Sequence, residues 1–234
     1  MIVSGKNVAK ELLKESVSIN KIYLSNNFSD ESVLSLIRKQ NININYVENN
    51  VLDKLTKEKH QGIVLDIKDY EYYTEDYMIN NLSSNPFILI LDHIEDPHNF
   101  GAIIRTCEAA GVDYIVISKD RCCKVNETVM KTSSGALYNV KIVMVTNINR
   151  LISKLKKKGI WIVGTDMENS TSYDLIDYNM PLALVIGSEG FGMQRIIKEN
   201  CDFIASIPMK GKVNSLNASV AAGIMIYEVL EKRK

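Results

Sequence analysis

Three loops of this chain carry residue types that chemistry needs. The first, residues 92–105, holds Asn99, Gly101, Ala102 and Arg105. Asn is a good N-cap, and small residues after it keep the first turn of a helix thin. Arg105 then presents a cation one to two turns in. The second loop, residues 187–192, sets Gly187, Gly190 and Gly192 around Glu189. Glycines after a buried strand let backbone come close to a ligand. Their spacing is G-x-x-G-x-G and no Gly-Lys-Ser/Thr follows, so neither a dinucleotide fingerprint nor a phosphate-binding Walker loop is indicated. A carboxylate inside that loop repels a pyrophosphate and suits a cationic or neutral ligand. The third loop leaves an apolar strand at Pro208, passes Gly211, Asn214, Ser215 and Asn217, and enters a helix on the small residues 218–223. Proline ends a strand because it cannot donate to the ladder. The stretch between Ile207 and Ala218 is longer than chain reversal requires. It is expected to wrap a ligand, with Ser215 or Asn217 capping the helix. His93 and His98 lack further His or Cys at a fitting spacing, so no metal site is expected.

The elements that must position these loops alternate. After Pro86, apolar runs at 87–91, 114–117, 140–145, 160–163, 182–186 and 203–207 are separated by helical periods at 100–110, 127–133, 148–157, 193–199 and 218–231. Continuous apolar strands alternating with helices indicate a parallel sheet covered on both faces. In such sheets ligands gather at the carboxyl ends of the strands, which is where all three loops fall. Ahead of them lies a smaller unit: helical periods at 7–15, 31–40 and 51–59 alternate with strands at 21–24, 42–47 and 63–67. The acidic, tyrosine-rich segment 69–85 between the two reads as a linker.

Composition sets bounds. The 234 residues are 46% hydrophobic, ample for a core, and no apolar run approaches the length of a membrane span. The amino terminus is charged within six residues and lacks an apolar signal core, which reads as cytoplasmic. The formal net charge is zero. It divides unevenly, because residues 69–85 carry four acids and no Lys or Arg between two slightly basic lobes. Lys119, Arg121, Lys124 and Lys131, with Lys210 and Lys212 in the third loop, form local basic groups. Four cysteines, two of them vicinal at Cys122 and Cys123, match no zinc or redox spacing and are expected as buried thiols.

Taken together, the three loops resemble the SpoU (TrmH) family of RNA ribose 2′-O-methyltransferases in the SPOUT superfamily. The motif N-x-G-A-x-x-R is met by Asn99, Gly101, Ala102 and Arg105, and G-x-E-G-x-G by Gly187, Glu189, Gly190 and Gly192. The motif I-P-M-x-G-x-x-x-S-L-N-x-S-V-A is met by Ile207, Pro208, Met209, Gly211, Ser215, Leu216, Asn217, Ser219, Val220 and Ala221. The resemblance covers the whole chain. It implies an α/β protein with a C-terminal SPOUT-type parallel sheet bearing a deep trefoil knot over residues 86–234. A small L30e/L7Ae-like substrate-binding domain over 1–68 precedes it, with 69–85 as linker. It also implies S-adenosylmethionine held by Gly187, Ile207, Leu216, Met209, Thr165 and Gly164. Catalysis falls to Arg105, Glu189, Asn99, Ser215 and Asn217, and RNA contact to Lys119, Arg121, Lys6 and His60. The implied assembly is a homodimer without metal or membrane. The implied substrate is a guanosine ribose of 23S rRNA, free or in a ribosomal precursor. A tRNA enzyme and a catalytically silent RNA-binding protein are the alternatives. Cys122 and Cys123 depart from the small or polar residues expected there.

Overall fold

The computed structural model describes residues 1–14, 17–40 and 42–233, which form two compact units. Glu15, the end of the first helical period in the sequence, lies outside the described residues.

One unit comprises Met1–Glu71 together with Val125–Tyr138. Its elements are β1 (Ile2–Ser4), α1 (Lys6–Lys14), β2 (Ile19–Ser25), α2 (Glu31–Arg38), β3 (Ile44–Val47), α3 (Asn49–Leu55) and β4 (Ile63–Ile67). The sheet runs β1-β4-β2-β3, antiparallel except for the β2–β3 pair. The expected alternation is present, but β1 was not legible: three residues are too short to show a period. A helix at Glu127–Ser133, inserted from much later in the chain, completes this unit. Its Glu127 accepts a hydrogen bond from the Ser4 hydroxyl at 2.5 Å and pairs with Lys131 at 2.9 Å.

The other unit comprises Tyr72–Lys124 and Asn139–Lys234. It opens with α4 (Glu75–Asn80) and β5 (Phe87–Leu91), followed by α5 (Pro97–Ala110) and β6 (Tyr114–Ser118). After the excursion through α6 (Glu127–Ser133) come β7 (Ile142–Val145), α7 (Ile148–Lys157), β8 (Trp161–Thr165), β9 (Thr171–Ser172), β10 (Leu182–Ile186), α8 (Arg195–Asn200), β11 (Phe203–Ser206) and α9 (Ala218–Lys232). The strand order is β7-β6-β5-β10-β8-β11-β9, with every neighbouring pair parallel. All residues of β5 and β10 are buried, as strands covered on both faces must be.

The acidic segment 69–85 is more than an extended linker. Thr74 caps α4, Met78 is fully buried, and Tyr73 bridges Val143 alongside β7. Its acidic composition concealed an apolar stripe of Met78, Ile79 and Leu82 packed on the core.

This strand order positions the site. The chain builds outward from β5 through β6 to β7, then crosses so that β10 lies between β5 and β8. The order reverses beside β5, and the crevice at such a reversal is where open parallel sheets bind ligands. At the far end of α9, the Arg233 guanidinium donates to the carbonyls of Tyr178, Met180, Asn85 and Pro86. That anchor fixes the helix whose amino end enters the site.

Candidate active site

The loops after β5, β10 and β11 meet in one hydrogen-bonded cluster. Glu189 Oε1 accepts from Asn99 Nδ2 at 3.0 Å, Asn217 Nδ2 at 2.5 Å and the Ala218 N–H at 2.9 Å. Asn217 Nδ2 also donates to Asn99 Oδ1 at 2.9 Å. Each of the three motifs thus contributes one side chain, joined across 90 and 118 residues of sequence.

Local chemistry explains these placements. Asn217 caps α9, its Oδ1 accepting from the Ser219 and Val220 N–H groups at 3.0 and 3.3 Å. Asn99, expected as the cap of α5, instead stands in its first turn. The cap is Asp96, which accepts from the Asn99 N–H at 2.8 Å, with Pro97 opening the helix. Proline suits that position, where no N–H partner exists. The displacement frees the Asn99 amide for Glu189. Arg105 lies about 9 Å further along α5 at 1.5 Å per residue. It is exposed and makes no hydrogen bond or ion pair among the described residues.

Beside the cluster is a cavity of about 580 Å³, lined from the ends of three strands, β8, β10 and β11, and from the start of α9. Thr165, Gly187, Ile207, Met209, Ser215 and Leu216 all line it. Gly164 does not; its missing side chain serves packing, since a Cβ there would lie 2.6 Å from Met193 Cε and 2.7 Å from Cys201 Sγ. Gly187 is demanded by the protein's own backbone. Ser188 and Gly192 exchange N–H···O bonds at 3.0 Å, folding the loop back until a Cβ at Gly187 would stand 2.3 Å from the Gly192 carbonyl carbon. The carboxylates of Asp166, Glu168 and Glu189 give the cavity a negative wall. Burial raises the Asp166 pKa, but the hydrogen bonds from the Glu168 N–H and Lys198 outweigh it and hold the carboxyl below its usual range.

A second cavity of about 520 Å³ lies on the other side of the 188–192 loop, sharing Ser188, Glu189, Phe191, Gly192 and Ala218 with the first. Behind its wall residues His93 and Gln194, the fully buried Asp92 receives the Gln194 N–H at 2.7 Å, the Gln194 amide at 3.0 Å and His93 Nδ1 at 2.5 Å. In the sequence His93 is weighed only as a metal ligand, and Asp92, Gln194 and Phe191 are not singled out, although an Asp-His pair directly after a buried strand is a usable signal.

The residues expected at RNA divide. Lys119 and Arg121 are exposed on the loop after β6, at the same edge of the sheet as the site. That loop is tied down where the Cys123 N–H donates to the Ile94 carbonyl at 2.8 Å. In the amino-terminal unit, both ring nitrogens of His60 are engaged, Nε2 with Asp53 at 3.1 Å and Nδ1 with the Gly62 N–H at 3.0 Å. Lys6 stands 3.5 Å from Asp30, its ammonium over the Phe28 ring. Both residues therefore have structural partners. Among the described residues no group of His, Cys, Asp and Glu is arranged to hold a metal ion, and no helix is long and apolar enough to cross a membrane.

A parallel sheet with its ligand crevice at a reversal of strand order, crossed by an Asn–Glu–Asn cluster from three loops, defines an α/β enzyme. Comparison with known proteins makes that class specific. The SpoU rRNA methylase family matches residues 86–227, and the RNA 2′-O ribose methyltransferase substrate-binding family matches residues 2–73. The chain belongs to the SpoU (TrmH) family of RNA methyltransferases. It is 45% identical over 237 residues to YacO of Bacillus subtilis, named as a TrmH family tRNA/rRNA methyltransferase, covering 99% of this chain and 95% of the relative. A similarly named protein of Staphylococcus saprophyticus is 42% identical over 239 residues, covering 100% and 96%. Among solved structures, the SpoU methyltransferase AviRb from Streptomyces viridochromogenes, in complex with AdoMet, shares the fold. It superposes with a TM-score of 0.85 at 22% identity, covering 100% of this chain and 90% of its own. The A. aeolicus TrmH/SpoU tRNA modifying enzyme gives 0.59 at 34% identity, covering 68% and 82%.

Proposed function

We propose that this protein transfers the methyl group of S-adenosylmethionine to a ribose 2′-OH of a guanosine in 23S rRNA. The observation that carries this reading is the Glu189-centred cluster standing beside the 580 Å³ cavity. The residues present fit the cofactor. The cavity is of ligand size, its apolar surfaces come from Ile207, Leu216 and Met209, and its carboxylates suit a sulfonium cation. Gly187 and Thr165 would hold the cofactor alongside them. When bound, S-adenosylmethionine supplies an electrophilic methyl group.

The chain's own residues then have separable tasks. Asn99, Glu189 and Asn217 fix the amino end of α9 and the edge of the cavity, so that the reacting groups meet in line; such positioning provides much of the rate. Ser215, exposed on the cavity wall, faces the reacting ribose. A guanidinium keeps its proton, so Arg105 acts electrostatically. Its fork binds the neighbouring phosphate and stabilises the developing alkoxide. Lys119 and Arg121 bind backbone phosphates beside it.

In this reading residues 1–68, with the inserted helix Glu127–Ser133, select the RNA, 69–85 lead from that unit into the other, and the rest of 86–234 forms the knotted catalytic domain. The enzyme works as a cytoplasmic homodimer; Val220 and Tyr227, each about half exposed on one face of α9, support a second copy packing there. Mapping ribose methylation in rRNA and tRNA from a deletion strain by mass spectrometry tests the substrate. A lost 23S guanosine mark supports the reading, a lost tRNA mark redirects it, and intact RNA in both pools overturns it. Calorimetric failure to bind S-adenosylmethionine would indicate a silent RNA-binding protein.

A further inference from the structure

We propose that the 520 Å³ cavity receives the target nucleoside, with the Phe191 ring stacked on its base and His93 Nε2 hydrogen-bonded to it. The inference rests on the reading that the larger cavity holds S-adenosylmethionine. The two cavities share one wall, the 188–192 loop with Ala218. A methyl group passed from donor to acceptor crosses at that wall, beside Glu189.

Phe191 is the first observation that calls for an occupant. It is 95% exposed, the most exposed of the large apolar side chains described. It sits between Gly190 and Gly192, both at positive φ (82° and 65°), so neither neighbour can shield it. Here an aromatic ring is held in water at the mouths of both cavities. Unpaired bases are bound by stacking on such rings, without regard to sequence.

His93 is the second. Its Nδ1 lies 2.5 Å from the buried Asp92 carboxylate and 3.2 Å from the Gln194 amide nitrogen, so Nδ1 is engaged by the protein and Nε2 is the ring nitrogen left to meet a ligand. Nε2 has no partner among the described residues, while its ring lines the cavity. The backbone at His93 is at φ 63°, a conformation uncommon for this residue type and held by the flanking contacts. Glu95 and Asp96 line the same cavity and repel phosphate, so it is the nucleoside face that turns inward.

The test is methyl transfer from tritiated S-adenosylmethionine to deproteinised rRNA from a deletion strain, with cofactor affinity measured in parallel by calorimetry. Phe191→Ala is expected to raise KM for the RNA about 10–100-fold, at least ten times more than it weakens cofactor binding. Phe191→Trp is expected to restore KM. His93→Asn, which tolerates the same backbone, is expected to raise KM at least threefold with cofactor affinity within twofold. Equal losses for RNA and cofactor place the ring on the cofactor and overturn the proposal, as does an unchanged KM. A Phe191→Ala protein that changes its sedimentation from dimer to monomer makes the ring an interface residue, and also overturns it. Wild-type protein that binds no cofactor and labels no RNA overturns the methyltransferase reading and this inference with it.

Discussion

The Asn217 amide stands 2.5 Å from Glu189 Oε1, and the same oxygen takes the Ala218 N–H that opens α9. One carboxylate oxygen therefore joins the loop after β10 to the start of the last helix. Removing it in Glu189→Ala leaves three donors to water. Because Glu189 is exposed, water replaces much of what is lost, and the stability cost is about 1 kcal/mol. Geometry suffers more than stability: methyl transfer is expected to fall at least 100-fold. Glu189→Gln keeps one acceptor and should fall between. Single-turnover rates set against thermal midpoints check this, and wild-type rates in Glu189→Ala would remove the cluster from catalysis.

Arg105 offers the opposite balance. It is exposed and has no partner to lose, so Arg105→Ala should leave unfolding free energy within about 0.5 kcal/mol of wild type. Methyl transfer should still drop by about two orders of magnitude. Arg105→Lys should recover little, because a point charge does not reproduce the fork. Full methylation by Arg105→Ala, with none by Glu189→Ala, would show the assignment to be wrong.

Much of this site is legible in the sequence, because its parts are loops with strong local chemistry. Pro208 ending β11 and Asn217 capping α9 are short-range effects, and each is found where the residues put it. The long apolar strands were legible for the same reason. What stayed hidden depends on distance in the chain. That α6 would pack with residues 1–71 follows from Ser4 meeting Glu127, 123 residues away. That Gly187 answers to Gly192 and Gly164 to Met193 follows from packing no motif expresses. Asn99 reads as a cap in the sequence, but Asp96 and Pro97 form an equally good start three residues earlier, and the helix begins there.

The glycines separate fold from ligand experimentally. Gly187→Ala drives a Cβ into backbone at 2.3 Å and should cost at least the 1–3 kcal/mol of overpacking. Gly211→Ala meets nothing within 4 Å and should unfold as wild type does. If Gly211 keeps space for the cofactor, its Ala variant loses affinity at unchanged stability. Calorimetry and urea titration together read this, and unchanged affinity would assign Gly211 to chain flexibility alone.

The vicinal thiols should be inert. Burial, with Cys123 beside it, pushes Cys122 up to about 12, and burial with Asp96 nearby pushes Cys123 up to about 11. At pH 8 the thiolate fraction is then on the order of one in a thousand or less. Native protein should react with a disulfide reagent far more slowly than unfolded protein, faster only as pH rises toward 11. Rapid native labelling at pH 8 would contradict this.

Acid stability follows from Asp166. Burial alone would raise its pKa; the bonds from the Glu168 N–H and Lys198, each 2.9 Å, leave it lowered instead. A carboxyl depressed in the folded state adds stability above its unfolded value near 3.9, and that stability is lost as pH falls through the folded value. Lys198 is shifted up chiefly by its hydrogen bond to Asp166. Its share is present below the unfolded lysine value near 10.4 and lost as pH rises through the folded one. The pair is thus intact from about pH 5 to 9. Asp166→Asn should reduce urea stability in that window and flatten its decline below pH 4. Since Asp166 lines the 580 Å³ cavity proposed for the cofactor, the same variant should weaken cofactor binding uniformly from pH 5 to 9. A variant whose affinity converged with wild type within that range would show that Asp166 does not carry the cavity's negative charge.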